Sequence, residues 1–183
     1  MKHRIATAPR SAQQGLTLVE SLISLAVAAI SLGTVAPGFQ QLKERRHLEG
    51  ASAQLATDMR HARSLAVARR APIRLSVQSP AGSTCYVVHT GSAGDCRCNG
   101  DGTAVCTAGA EALHTVGFEP GLRLRLSSTS ASMLFDPDRG TVTPTGTLRL
   151  QISSGDSIHQ VVNIMGRVRA CSPGGAVAGY SAC

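Results

Sequence analysis

Hydrophobic and polar positions divide the chain into three textures. From Leu16 to Ala36 every residue is apolar or small except Glu20. As a helix rising about 1.5 Å per residue, this run is about 31 Å long and matches a bilayer core. Pro37-Gly38 interrupts it, since a proline inside a helix removes one hydrogen bond. From Gln40 to Arg70 the period is helical and amphipathic. Leu48, Ala51, Leu55, Met59, Ala62 and Leu65 recur three or four apart as one stripe, while Lys43, Glu44, Arg60 and Arg63 fill other faces. Beyond Pro72 come short alternating runs of Val, Ile, Leu and Thr, broken by Gly, Pro, Ser and Asp. They predict strands at 73–78, 85–89, 113–118, 122–126, 133–135, 148–152 and 158–164. Arg123, Arg125 and Arg149 alternate with leucines and so belong to a polar face. The pattern predicts an α+β chain: a membrane-spanning helix over 16–38, an amphipathic half over 39–71, a β-rich head over 72–170, and an irregular Gly-, Ala- and Ser-rich tail over 171–183.

Composition sharpens this picture. The 183 residues suffice for one domain with a core once a membrane helix is subtracted. The net charge is +7, and Lys43 is the only lysine after Lys2, so the excess is arginine, whose planar fork of donors suits phosphate. There is no Trp and aromatics make up 3%, which argues against a platform for stacking single-stranded bases. Lys2, Arg4 and Arg10 precede the apolar run, so the N-terminus is expected in the cytoplasm and the head on the far side.

All six cysteines lie in that translocated part: Cys85, Cys96, Cys98, Cys106, Cys171 and Cys183. An even count there reads as disulfides in an oxidising compartment. A Cys171–Cys183 bridge is expected to pin the tail, worth about 2–4 kcal/mol. Cys96 and Cys98 are poor partners for each other, because in extended chain their side chains run parallel. Cys85–Cys96 with Cys98–Cys106, Cys85–Cys98 with Cys96–Cys106, and a Cys85–Cys106 pairing all stay open.

No metal, cofactor or catalytic site is expected. Cys96-Arg-Cys98 is one residue too tight for the usual zinc spacing. Around Asn99-Gly-Asp101-Gly102 a calcium loop of the EF-hand type needs an acid where Arg97 stands and a Glu where Ala108 stands. His3, His47, His61, His89, His114 and His159 are scattered, and no nucleophile motif accompanies them.

A glycine and a lone carboxylate head the apolar run: Gly15-Leu16-Thr17-Leu18-Val19-Glu20. This resembles the type III leader of type IV pilins and type II secretion pseudopilins. The resemblance implies that a prepilin peptidase removes 1–15 after Gly15, that the new N-terminal Leu16 is methylated, and that Glu20, fifth in the mature chain, guides filament assembly. That family usually has Phe where Leu16 stands. Ala62-Arg-Ser-Leu-Ala-Val-Ala-Arg-Arg-Ala-Pro-Ile73, Phe135-Asp-Pro-Asp-Arg-Gly140 and Gly146-Thr-Leu are similar to the GspH/FimT branch of minor pilins and pseudopilins. This branch implies a long N-terminal helix packed on two antiparallel β-sheets. Gly166-Arg167-Val168-Arg169 resembles the DNA-binding element of FimT-like members. It implies non-specific phosphate contacts by Arg167 and Arg169, with other pilins and DNA as partners. Arg123, Arg125, Arg139 and Arg149 are candidates to widen that track. The implied location is the inner membrane with a periplasmic head, then a pilus or pseudopilus filament. FimU- or GspH-like members of the branch serve assembly or secretion without DNA.

Overall fold

A computed structural model describes residues 17–107, 109–119, 121 and 123–183, with side chains left aside at 34–38. The leader 1–15, its cleavage position Gly15, and Leu16 lie outside the described residues. The chain divides into two compact units, Met1–Gln40 and Gln41–Cys183.

Helix α1 (Leu18–Arg69) contributes to both units. Its backbone stays helical through Pro37. Thr17 Oγ1 accepts the Glu20 N–H at 3.3 Å and satisfies one of the donors that a helix start leaves open. In the first unit Leu18, Val19, Leu22, Ile23, Ile30 and Leu32 are all exposed. Among the described residues no helix is long and apolar enough to cross a membrane. The span expected over 16–38 runs past the described side chains at both ends, and what remains falls short of the about 20 residues a bilayer requires.

In the second unit the amphipathic stripe becomes core. Leu48, Leu55, Met59 and Ala62 are fully buried; Ala66 joins them, whereas Leu65 is half-buried. The helix stops at Arg69, where Arg70 takes a φ of 50° and Pro72 prevents a further turn.

The head follows as β1 (Ile73–Gln78), β2 (Thr84–His89), β3 (Cys96–Cys98), β4 (Ala104–Cys106), β5 (Ala112–Phe118), β6 (Leu124–Ser128), β7 (Ser132–Phe135), β8 (Val142–Thr143), β9 (Gly146–Ile152), β10 (Ser157–Val162) and β11 (Val168–Cys171). One sheet has the order β5-β2-β1-β7-β8, a second β11-β10-β9-β6, and β3-β4 is a separate hairpin. Neighbouring strands are antiparallel throughout. One core joins the helix stripe to Ile73, Leu75 and Phe135 of the first sheet and Leu126, Leu148 and Leu150 of the second. This is the α+β architecture expected from the sequence, with four further strands (β3, β4, β8 and β11) and two expected strands displaced. The strand expected at 122–126 starts at Leu124, because Arg123 holds a φ of 51°, which a strand does not accept. The strand expected at 158–164 ends at Val162, where the chain turns.

Polar groups, with Asp58, Tyr86, Ser52 and Gln160 buried among them, fasten the helix to the sheets. Tyr86 Oη donates to Asp58 Oδ2 at 2.6 Å, Gln54 Nε2 to Asp58 Oδ1 at 2.9 Å, and His114 Nε2 lies 3.3 Å from the same carboxylate. Burial first, then that hydrogen bond and charge, push the Tyr86 hydroxyl well above the usual tyrosine range. Gln160 Nε2 donates to Ser52 O at 3.1 Å and Ser52 Oγ at 2.7 Å, anchoring β10.

The disulfides are Cys85–Cys98, Cys96–Cys106 and Cys171–Cys183. The first joins β2 to β3, and the second bridges directly opposed residues of the β3-β4 hairpin. The third staples a tail more ordered than its composition suggests. Val177 is buried in the core, Ser172 Oγ donates to Ser157 O at 2.9 Å, and Pro173–Gly175 forms a 3-10 turn.

Candidate nucleic-acid interface

Gly166 and Arg167 occupy the turn between β10 and β11. Arg169 lies in β11, an edge strand, so the three residues are not one extended segment. The turn is braced from within. Asn163 O accepts the Gly166 N–H at 2.9 Å, and Asn163 Oδ1 accepts the Arg167 N–H at 2.9 Å. The Val142 N–H donates to Ile164 O at 2.8 Å and ties the turn to β8. A backbone held this way loses little entropy when the arginine binds a ligand.

Gly166 has a reason to be glycine. Its φ is +70°, and an added Cβ would stand 2.9 Å from Arg63 Cδ and 3.0 Å from Gly140 O. Arg63 comes from the last turns of α1, and its Nε donates to Gly140 O at 2.8 Å. Gly140, with φ +62°, closes the turn after β7. In that turn Asp136 Oδ1 accepts the N–H groups of Asp138 at 3.0 Å and Arg139 at 2.8 Å. Arg63 thus lies between two glycines and holds two arginine-bearing turns against the helix.

Two adjoining hollows result, both lined by Arg60, Arg63 and Gly166. One adds Met165, Arg167 and Val168; the other adds Val67, Asp138 and Arg139. Arg60, Arg139, Arg167 and Arg169 are exposed. Among the described residues, Arg60, Arg139 and Arg167 have no ion pair or side-chain hydrogen bond, and neither does Arg169.

The other candidate arginines divide. Arg123 is spent on Glu44, with Nη1 3.2 Å from Oε1. Arg125 and Arg149 lie on the exposed face of the second sheet with Arg169, where leucines alternate inward. Arg149 pairs in register with His159, which in turn opposes Cys171. Burial, and then the Arg149 charge, hold the His159 imidazole below its ordinary value. The helix arginines Arg60 and Arg63 escape a linear reading. Their spacing marks a polar helix face, but nothing along the chain connects that face to Gly140 or Gly166.

An N-terminal helix laid on antiparallel sheets, with a disulfide-stapled head, defines a type IV pilin-like protein or pseudopilin. The family model described as type II transport protein GspH matches residues 51–166, and that of the prokaryotic N-terminal methylation motif matches residues 10–36. The chain belongs to the GspH family. Its methylation motif implies processing by a prepilin peptidase and pilins as partners. No curated protein and no solved structure matches it.

Proposed function

We propose that this protein is a minor type IV pilin whose head captures DNA without sequence preference for uptake in natural transformation. Arg167 and Arg169 contact phosphates, and no reaction is catalysed. The observation that carries the reading is two exposed arginines without acidic partners among the described residues, one on a turn braced by Asn163 and one on an edge strand. Such contacts give weak binding, with Kd on the order of 10⁻⁴–10⁻⁶ M, that falls steeply with salt. The full chain in non-ionic detergent is expected to retard duplex DNA in a gel, and Arg167→Ala/Arg169→Ala to lose that retardation. Equal retardation by both proteins would sink the assignment.

In this reading the chain is inserted in the inner membrane by its apolar helix, with the head periplasmic, and then enters a filament. Cleavage after Gly15 frees the Leu16 amine, which is methylated. The Glu20 carboxylate is exposed and has no partner among the described residues. A charge in a bilayer costs about 2.5–3.5 kcal/mol, so a partner is worth gaining. Its partner is the Leu16 amine, of an adjacent pilin or of its own chain. Glu20→Ala is therefore expected to insert and be cleaved normally but to be missing from sheared filaments. Normal incorporation would contradict that role.

A second reading has a specific observation behind it. The family match over residues 51–166 is to a type II transport protein. The protein would then be a GspH- or FimU-like subunit that primes a pilus or pseudopilus and never touches DNA. Deleting the gene separates the two. Lost transformation with intact pili supports DNA capture; lost pili or lost exoprotein secretion supports the structural role.

A further inference from the structure

The geometry points to a second set of phosphate contacts, Arg60 of α1 and Arg139 of the β7–β8 turn. With Arg167 they form a groove that takes the sugar-phosphate backbone of duplex DNA. This rests on the reading of the head as a DNA-binding surface and extends it to residues outside the Gly-Arg-x-Arg segment.

Three elements distant in sequence bring these side chains together. Arg60 and Arg63 line both hollows, Arg167 lines one and Arg139 the other, and Gly166 is shared. Arg63 is the positioning residue. Its Nε is committed to Gly140 O, and its stem lies against Gly166, so both turns are fixed relative to the helix. Arg60 and Arg139 are exposed and make no ion pair among the described residues. Their charge is therefore not spent inside the protein, unlike that of Arg45, Arg69 and Arg123, each paired with an acid. Among the described residues the one acid on the groove is Asp138, whose carboxylate bonds none of these arginines. Among the described residues no aromatic side chain lines either hollow, so the groove offers charge to a backbone and no surface for stacking bases. Arg125 and Arg149 stand on the sheet face and line neither hollow.

The test is fluorescence anisotropy of a short labelled DNA duplex with the full chain in non-ionic detergent across a salt series. Each phosphate contact contributes about −0.9 to the slope of log K against log salt. Arg60→Ala/Arg139→Ala is expected to bind about ten- to a hundred-fold more weakly near 0.1 M salt, with the slope reduced by about two. Arg60→Lys/Arg139→Lys should recover most of the affinity, because the charges remain. Asp138→Asn should tighten binding a few-fold. Thermal melts confirm that the exposed substitutions leave the head folded. If Arg60→Ala/Arg139→Ala binds like wild type while Arg167→Ala/Arg169→Ala fails, the groove is wrong and the DNA reading survives. If wild type does not bind, or Arg167→Ala/Arg169→Ala binds like wild type, the underlying reading falls and the groove falls with it.

Discussion

Gly166→Ala is expected to destabilise the head by about 2–3 kcal/mol and, on the proposed DNA-capture role, to weaken DNA binding with it. The left-handed backbone at φ +70° costs a residue bearing a Cβ about 1–2 kcal/mol. The new methyl would also press on the Arg63 stem and on Gly140 O. If Arg63 retreats, its bond to Gly140 O is lost, which is worth about 1 kcal/mol. For a domain of this size that total lowers Tm by about 5–10 °C. A double-mutant cycle isolates the side-chain part. In an Arg63→Ala background the added methyl no longer meets the stem, so Gly166→Ala should cost about 1 kcal/mol less there. Additive costs would show that Arg63 is not the neighbour that demands glycine.

Cys85→Ala/Cys98→Ala is expected to cost about 3 kcal/mol in a denaturant titration, as loss of a loop of that length does. The damage should be local. Cys85, Cys96 and Cys98, with Val87, form a small buried cluster of their own, apart from the main core. Without the bridge, the β3-β4 hairpin keeps its internal Cys96–Cys106 link. It also keeps Gln78, whose Nε2 donates to Cys96 O at 2.8 Å and whose Oε1 accepts the Cys98 N–H at 2.9 Å. Limited trypsin digestion should then cut at exposed Arg97 faster than in wild type. Equal cutting of both proteins would show that Gln78 and the second bridge hold the hairpin alone. Peptide mapping of the wild type should return Cys85–Cys98 and Cys96–Cys106.

The elements legible in the sequence were those whose own periodicity carries the signal. Leu48, Leu55, Met59 and Ala62 mark the buried face of α1, and Ile73–Gln78 reads as a strand with matching bounds. Four strands left no such trace. β3 and β4 are three residues each and held by sulfur, so no apolar alternation is needed. β8 has two residues. β11 reads Val-Arg-Ala-Cys and lies at a sheet edge, where one side needs no partner. The interface divides the same way. Arg167 and Arg169 stand out as a short motif, and the turn at Asp136-Pro-Asp-Arg-Gly140 announces itself by residue type. That Arg63 bridges this turn to Gly166 depends on tertiary packing alone. The open choice among cysteine pairings was likewise decided by which strand lies beside β2.

The order in which the cysteines are connected bears on how the head is made. Cys85 pairs with Cys98 and Cys96 with Cys106, so the two links interleave along the chain. A polypeptide threaded through a membrane from its N-terminal side delivers Cys85 and then Cys96 to the oxidising side. An oxidase that joins thiols as they arrive therefore makes Cys85–Cys96, a link the finished head does not contain. Reaching the native pair takes attack by the Cys98 thiolate on the Cys85 sulfur, which forms Cys85–Cys98 and releases the Cys96 thiolate for oxidation with Cys106. An isomerase that speeds this exchange is expected to raise the yield of head carrying Cys85–Cys98, a yield that peptide mapping reads directly.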